Sequence, residues 1–128
     1  MESHIQNKVD LELQINFNIL KGTVGVDNVL NYLKNLVKAP DYHETYNVLV
    51  DVCEADMPDF YERINEFIQF FCNTSNEINW KRKCAILTSN PQQVVISKLL
   101  EYEMDKRCSE LKINVFSTQE AALYWLKE

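Results

Sequence analysis

Residues 11–19 alternate between apolar and polar side chains, L-E-L-Q-I-N-F-N-I. Alternation with a period of two is typical of a strand that has one face on a core. The polar positions, including Gln14, Asn16 and Asn18, are therefore expected on the face turned away from that core. Residues 5–9 are expected either to pair with this strand as the other arm of a hairpin or to lengthen it.

After Gly22, a residue suited to a turn with positive φ, the apolar spacing becomes helical. It predicts a first helix over residues 26–37, which Pro40 stops. Residues 46–52, Y-N-V-L-V-D-V, form an almost continuous apolar run, as expected for a central strand covered on both faces. Asp56 and Pro58 then resemble a helix start, which predicts a second helix capped by Asp56.

The second half of the chain repeats this order. Residues 84–88 predict a buried strand, and residues 111–115 predict a last strand. Ser89, Asn90 and Pro91 supply the start of a helix that continues to about Met104, and Ser117 with Glu120 forms a capping box for the final helix. The inner face of the helix after Pro91 is expected to carry Val95, Leu99 and Tyr102.

Alternation of strands and helices predicts an α/β fold: a mixed sheet of four to five strands with about four helices, the later strands parallel. Only two glycines and three prolines interrupt the 128 residues, and no low-complexity linker divides them. We therefore expect a single domain over residues 1–128.

Composition narrows the function classes. Lys and Arg number 13 against 19 Asp and Glu, a net charge of −6 that would repel a nucleic-acid backbone. No apolar run approaches the roughly 18 residues of a membrane helix, so a cytoplasmic protein that does not enter membranes is expected. Four cysteines without C-x-x-C spacing indicate neither a zinc site nor a disulfide framework, and Cys72 and Cys84 are expected to be free, buried side chains. No metal or other cofactor is indicated.

The candidate functional residues are Asp51, Cys53, Glu54 and Asp56, at the carboxyl end of the predicted central strand. Ligands of open α/β sheets tend to bind beyond such strand ends. Catalytic constellations are not indicated. His4 lies near the start of the chain and His43 in the loop after Pro40, and nothing in the sequence brings either of them to a Cys or Ser. No nucleophile motif and no phosphate-binding glycine loop occurs. A receiver-like phosphoacceptor at Asp51 is disfavoured as well, since the first strand is not followed by the acidic pair that would hold Mg²⁺. We therefore expect a partner-binding or ligand-binding site and no enzyme.

Four strings together resemble one known group: F-N-I-L-K-G-T-V (17–24), Y-N-V-L-V-D (46–51), K-C-A-I-L-T-S-N-P (83–91) and V-F-S-T-Q-E-A-A-L-Y-W-L (115–126). They resemble the STAS-like domains, the fold of bacterial anti-sigma-factor antagonists and of the cytoplasmic tails of sulfate transporters, and most of all their small stand-alone bacterial members. In the antagonists a kinase phosphorylates a Ser or Thr between the third strand and the second helix. Residues 51–56 contain no hydroxyl, so the resemblance implies the fold without that switch, and Glu54 or Asp56 could act there as a fixed negative charge.

Two functions follow from these expectations. The first is a non-enzymatic interaction or regulatory module that binds a protein partner, or a second copy of itself, near residues 51–58. The alternative is a carrier or sensor of a small apolar or anionic molecule, with Phe60, Phe67 and Phe71 lining a cavity. Tyr61, Phe70 and Trp80 are expected to form an exposed apolar patch.

Overall fold

A computed structural model of the chain describes residues 3–107 and 110–128. Within these ranges, five strands and four helices follow one another in the expected alternation after an initial hairpin. In chain order they are β1 (His4–Asp10), β2 (Ile15–Thr23), α1 (Val26–Leu36), β3 (Asn47–Asp56), α2 (Ile64–Asn73), β4 (Lys83–Leu87), α3 (Pro91–Arg107), β5 (Lys112–Phe116) and α4 (Gln119–Leu126).

The strands lie in one mixed sheet in the order β1-β2-β3-β4-β5. β1 pairs with β2 antiparallel, and the remaining neighbours are parallel. The hairpin is thus confirmed in place of one longer strand. Its turn occupies residues 11–14 and places Gln14 at a φ of 58°, which leaves Leu11 65% exposed rather than on a core.

Helices α1, α2 and α3 cover one face of the sheet, and α4 covers the other. Each of the first three helices joins strands that are neighbours in the same direction, and right-handed crossovers bring such helices to one side. The larger core packs under α1, α2 and α3, with Val52, Ile68 and Leu100 among its buried members. The smaller core joins Leu49 and Ala85 of the sheet to Ala122 of α4.

The helix start predicted at Asp56 is wrong. β3 continues to Asp56 because β2 pairs with it as far as Thr23, and α2 begins only at Ile64. Asp56 is therefore the last residue of a strand and caps no helix. A different carboxylate caps α1: Asp59 Oδ1 accepts the backbone N–H of Val26 at 3.0 Å.

The starts of the later helices agree more closely. Asn90 Oδ1 accepts the backbone N–H of Gln93 at 2.9 Å, as expected for the cap of α3. At α4 the cap is Thr118, one residue later than expected, and its hydroxyl accepts from the backbone of Ala121. The predicted inner face of α3 is right for Leu99, which packs against the larger core, and wrong for Val95 and Tyr102, which are 59% and 62% exposed. The buried side chains lie at other positions of the helix. They are Gln93, Ile96, Ser97, Leu100 and Met104.

The polar positions of β2 also differ from expectation. Asn16 and Asn18 are 1% and 6% exposed and lie beneath the helices, because β2 has a neighbouring strand on each side and is covered on both faces. Farther along, the register shifts between Ile19 and Lys21, and Gly22 follows with a φ of 80°, the conformation that glycine adopts without strain.

The cysteines differ from one another. Cys84 is a free, buried thiol, as expected. Cys72 is disulfide-bonded, so the expectation of a free side chain is wrong for that residue. In the described part of the chain, the helices are all too short or too polar to span a bilayer.

Candidate functional site

A cavity of about 130 Å³ lies between the sheet and helices α1, α2 and α3. We name it the sheet–helix cavity. Its walls come from every strand and from these three helices, and most lining side chains are apolar. Representative lining residues are Ile5, Leu33, Val48, Val50, Met57, Phe60, Phe67, Phe71, Trp80, Ile96, Leu100, Met104, Leu111 and Ile113.

The burial of side chains along the central strand β3 reflects the sheet–helix cavity. Val48 and Val50 of β3 remain only partly buried, although β3 has a strand on each side and helices above this face. Leu49, which points to the opposite face, is 1% exposed under α4. One face of the same strand is therefore close-packed, and the other borders empty space, which costs stability in a protein interior.

Aromatic rings form one wall of the sheet–helix cavity. Phe60 contacts Phe67 at 5.1 Å between ring centroids, Phe67 contacts Phe71 at 5.2 Å, and Phe71 contacts Trp80 at 4.7 Å. All are edge-on arrangements, which aromatic pairs favour. Trp80 also donates its ring N–H to Thr74 Oγ1 at 3.0 Å. The row is fixed by packing and by this hydrogen bond.

The predicted exposed patch is therefore only partly present. Trp80 is 5% exposed and belongs to the cavity wall, which corrects the expectation. Phe70 is half-buried against Trp80 and Phe71, and Tyr61 is 67% exposed.

Polar side chains of β2 and α1 form a second wall. Asn18 Oδ1 accepts hydrogen bonds from the Tyr32 hydroxyl and from Asn7 Nδ2. Asn16 Nδ2 donates to the backbone oxygen of His43 at 3.1 Å, while Asn16 Oδ1 is buried without a partner among the described residues. A buried amide oxygen without a hydrogen-bond partner lowers the stability of a close-packed core, and it is expected where a ligand or a water molecule binds.

Arg82, just before β4, is the charged residue of the lining. It is 6% exposed, and its guanidinium lies 5.2 Å from the centroid of the Tyr42 ring and 5.5 Å from that of the Trp80 ring. One terminal nitrogen donates to the backbone oxygen of Tyr46 at 3.3 Å, and the other donates to the Tyr42 hydroxyl. The third nitrogen, Nε, is buried without a partner in the part of the chain that the structure describes.

No carboxylate balances this charge within the described lining of the cavity. The two tyrosines of the lining stay neutral at physiological pH: burial raises the pKa of Tyr32 to about 12, and burial likewise raises the pKa of Tyr42 above its usual value. A buried guanidinium without an acidic partner is rare, because desolvation of the charge is not offset. The cavity thus combines an apolar interior with one uncompensated positive group.

The predicted site residues at the carboxyl end of β3 lie apart from this cavity. Asp51 Oδ1 accepts the backbone N–H of Cys53 at 3.0 Å, and Glu54 forms an exposed ion pair with Lys21 at 3.5 Å. The side chain of Asp56 is exposed. Asp51 and Glu54 are thus engaged with separate local partners, Cys53 and Lys21.

Cys53 has the properties of an unreactive thiol. Burial, together with the hydrogen bond and negative charge of Asp51, raises the pKa of Cys53 to about 11. Nucleophilic cysteines show the opposite shift, because the thiolate is the reactive form. Groups of three or more His, Cys, Asp or Glu side chains able to hold a metal ion are absent from the described ranges.

Gln93 organises this end of β3, and the sequence analysis did not single it out. β4 pairs with β3 only as far as Asp51, so the following carbonyl groups of β3 have no strand partner on that side. Gln93 Nε2 donates to the oxygens of Val52 and Ala55 at 2.7 and 3.1 Å, and its Oε1 accepts the N–H of Ser89 at 2.7 Å. The inner face predicted for α3 carries Val95, Leu99 and Tyr102 and excludes Gln93, so apolar spacing provides no signal for this residue.

An open groove lies beside Cys53, between the ends of β3 and β4 and the start of α3. We name it the junction groove; Leu87, Ser89, Pro91, Val94 and Val95 line it. Val94 and Val95 are 36% and 59% exposed, so the groove presents apolar surface on its α3 side, opposite Cys53.

Comparison with known proteins identifies the fold. An uncharacterized protein of the DUF3478 family from Shewanella loihica PV-4, described as having a SpoIIAA-like fold, superposes with a TM-score of 0.61. The match covers 98% of this chain and 96% of that chain at 13% sequence identity. No protein-family model matches the sequence, and no curated protein matches it.

The likeness at this identity concerns architecture. The protein has a SpoIIAA-like fold, that is, a STAS-like fold, in which strands and helices alternate around a mixed five-stranded sheet with four helices. The resemblance inferred from the four sequence strings is thereby confirmed for the fold.

Proposed function

We propose that the protein is a non-enzymatic regulatory module of the cytoplasm that works by binding a small apolar molecule in the sheet–helix cavity. The observation that carries this proposal is the hollow beneath α1, α2 and α3, where Val48 and Val50 border empty space in the middle of the sheet. Small-molecule sites are concave and mostly apolar, with a few polar groups that orient the ligand. The cavity has this composition.

Its size limits the ligand. Small-molecule pockets usually measure about 300–1,000 Å³, whereas a cavity of about 150 Å³ accommodates benzene. At about 130 Å³ the sheet–helix cavity suits a single ring or a short hydrocarbon chain, and a membrane lipid would require the helices to move apart.

The test is the thermal stability of the protein with neutral apolar probes of increasing size. Toluene is expected to raise the melting temperature in a saturable manner, because a ligand that binds only the native state stabilises it by mass action. Triisopropylbenzene, which is too large for the cavity, is the control and is expected to have no effect. Equal responses to both compounds, or none to toluene, would contradict the proposal.

The junction groove supports a second candidate function, the binding of a protein partner. Exposed Val94 and Val95 line the groove together with Cys53, which Asp51, Glu54 and Asp56 flank along β3, so an apolar side chain flanked by basic residues would complement the groove. This candidate keeps residues 51–56 as a binding site through their position beside the groove, without chemistry of their own.

Crosslinking in host cells tests the partner hypothesis. A photoreactive residue at Val95 is expected to capture a defined protein, and reversal of the Glu54 charge by Glu54→Lys is expected to weaken that capture. The same photoreactive residue at Tyr102, which is also exposed on α3, is the matched control. A second copy of this chain captured at Val95 would indicate a homodimer, and the same products from both positions would argue against a site at the groove.

A further inference from the structure

We propose that the ligand of the sheet–helix cavity is a small carboxylic acid with an aromatic or short aliphatic body, bound as its carboxylate by Arg82. This inference rests on the proposed function, since it names the chemical class of the molecule in that cavity. Its first support is the charge of the lining: Arg82 is 6% exposed, and the described residues that line the cavity include no acidic side chain.

The free hydrogen-bonding capacity of Arg82 indicates the form of the anion. Both terminal nitrogens already donate, to the Tyr46 carbonyl and the Tyr42 hydroxyl, whereas Nε has no partner in the described chain. Because the Tyr42 hydroxyl accepts from Arg82, its own proton is left for another acceptor. A carboxylate, with two oxygens and one negative charge, matches the Nε–H of Arg82 and the O–H of Tyr42.

The geometry around Arg82 orients the rest of the molecule. Its guanidinium stacks near Trp80, and Trp80 begins the row of rings that continues through Phe71 and Phe67 to Phe60. A ligand whose carboxylate meets Arg82 therefore places its apolar part along this aromatic wall. The cavity volume of about 130 Å³ limits that part to about the size of a benzene ring.

A structural role alone does not account for Arg82. Its terminal nitrogens hold the loop of residues 37–46 through Tyr42 and Tyr46, and a neutral donor could make those hydrogen bonds without burying a charge. An anion that enters the cavity would supply the missing counter-charge and would pair with the buried Nε.

The experiment is an NMR titration of isotope-labelled protein at pH 7 with benzoate, benzamide and toluene. Benzoate is expected to bind roughly 10- to 100-fold more tightly than benzamide, the difference typical of a hydrogen bond to a charged group. The Arg82 Nε–Hε cross-peak is expected to move with benzoate and not with toluene. Arg82→Met is expected to abolish the preference for benzoate. Lys83→Met, which removes the neighbouring charge that faces Trp125 of α4, is the matched control and is expected to retain it.

The outcomes separate this inference from the proposed function. If toluene binds while benzoate and benzamide bind equally, the carboxylate assignment is overturned and the apolar cavity remains the site. If none of the three compounds binds, both proposals fail. The comparison of benzoate with benzamide uses the unaltered protein, so it tests the carboxylate assignment even if Arg82→Met does not fold.

Discussion

The substitution Val50→Ile tests whether the hollow exists in solution. Val50 lies in the central strand and borders the sheet–helix cavity, where an additional methyl group has room. Burying one methylene contributes about 0.8 kcal/mol, and each Å³ of cavity filled recovers about 24 cal/mol. We expect a stabilisation of about 1 kcal/mol, which corresponds to a rise of about 3–5 °C in melting temperature for a domain of this size.

The same chemical change at a close-packed position is the control. Val24 is 0% exposed and lies outside the cavity, so Val24→Ile forces the extra methyl group into occupied space. Overpacking of this kind costs about 1–3 kcal/mol. Urea unfolding of both variants measures the difference. If Val50→Ile destabilises the protein as much as Val24→Ile does, the cavity is filled in solution and the reasoning is refuted.

Three further predictions test other parts of the structure. Gln93→Met should destabilise the protein by about 2 kcal/mol in urea unfolding, because it leaves buried carbonyl groups of β3 without donors. The same change at exposed Gln92 is the control and should have almost no effect on stability. Equal effects of the two substitutions would contradict the role given to Gln93. Asp59→Ala should lower the free energy of unfolding by about 1 kcal/mol, because it removes the cap of α1, and Asp56→Ala should lower it much less. A larger loss for Asp56→Ala than for Asp59→Ala would support the helix cap that the sequence predicts at Asp56. Alkylation of Cys53 should be slow at pH 7 and accelerate toward pH 11, because its raised pKa keeps the thiol protonated; rapid labelling at pH 7 would refute this assignment.

The raised pKa of Cys53 also gives the sign of a stability effect. The pKa of about 11 keeps the Cys53 thiol protonated in the folded protein up to about that pH, while an unfolded thiol loses its proton near its ordinary pKa of 9.0. The native state therefore binds more protons between these values, and this contribution to stability decreases as the pH rises above about 9. Substitution Asp51→Asn removes a negative charge that raises this pKa, so alkylation should then accelerate at lower pH.

The order of the elements could be predicted because it depends on local patterns. Apolar periodicity identified the strands and helices, and Asn90 supplied a recognisable cap for α3. The end of β3 could not be predicted in the same way. The Asp56–Pro58 pair resembles a helix start locally, but pairing with β2 through Thr23 keeps these residues extended. A contact between strands distant in sequence decided the boundary.

The aromatic wall of the cavity agrees with the sequence-based expectation, since Phe60, Phe67 and Phe71 line it. Its polar wall could not be predicted, for a related physical reason. The alternation in β2 correctly separates two faces, yet it does not show that both faces are covered, so Asn16 and Asn18 were assigned to the wrong environment. A hollow depends on the sizes of side chains contributed by separate strands and helices. The charge of Arg82 carries no signal of burial until the Tyr42 loop and Trp80 are placed around it.

Xenon binding in a crystal tests the central claim most directly, because xenon occupies apolar cavities of this size and is located by its anomalous scattering. Crystals of the protein pressurised with xenon are predicted to show one strong peak bordered by Val48, Val50 and Leu100. The absence of a peak there, with side chains from the helices packed against Val48 and Val50, would contradict a binding cavity between the sheet and the helices.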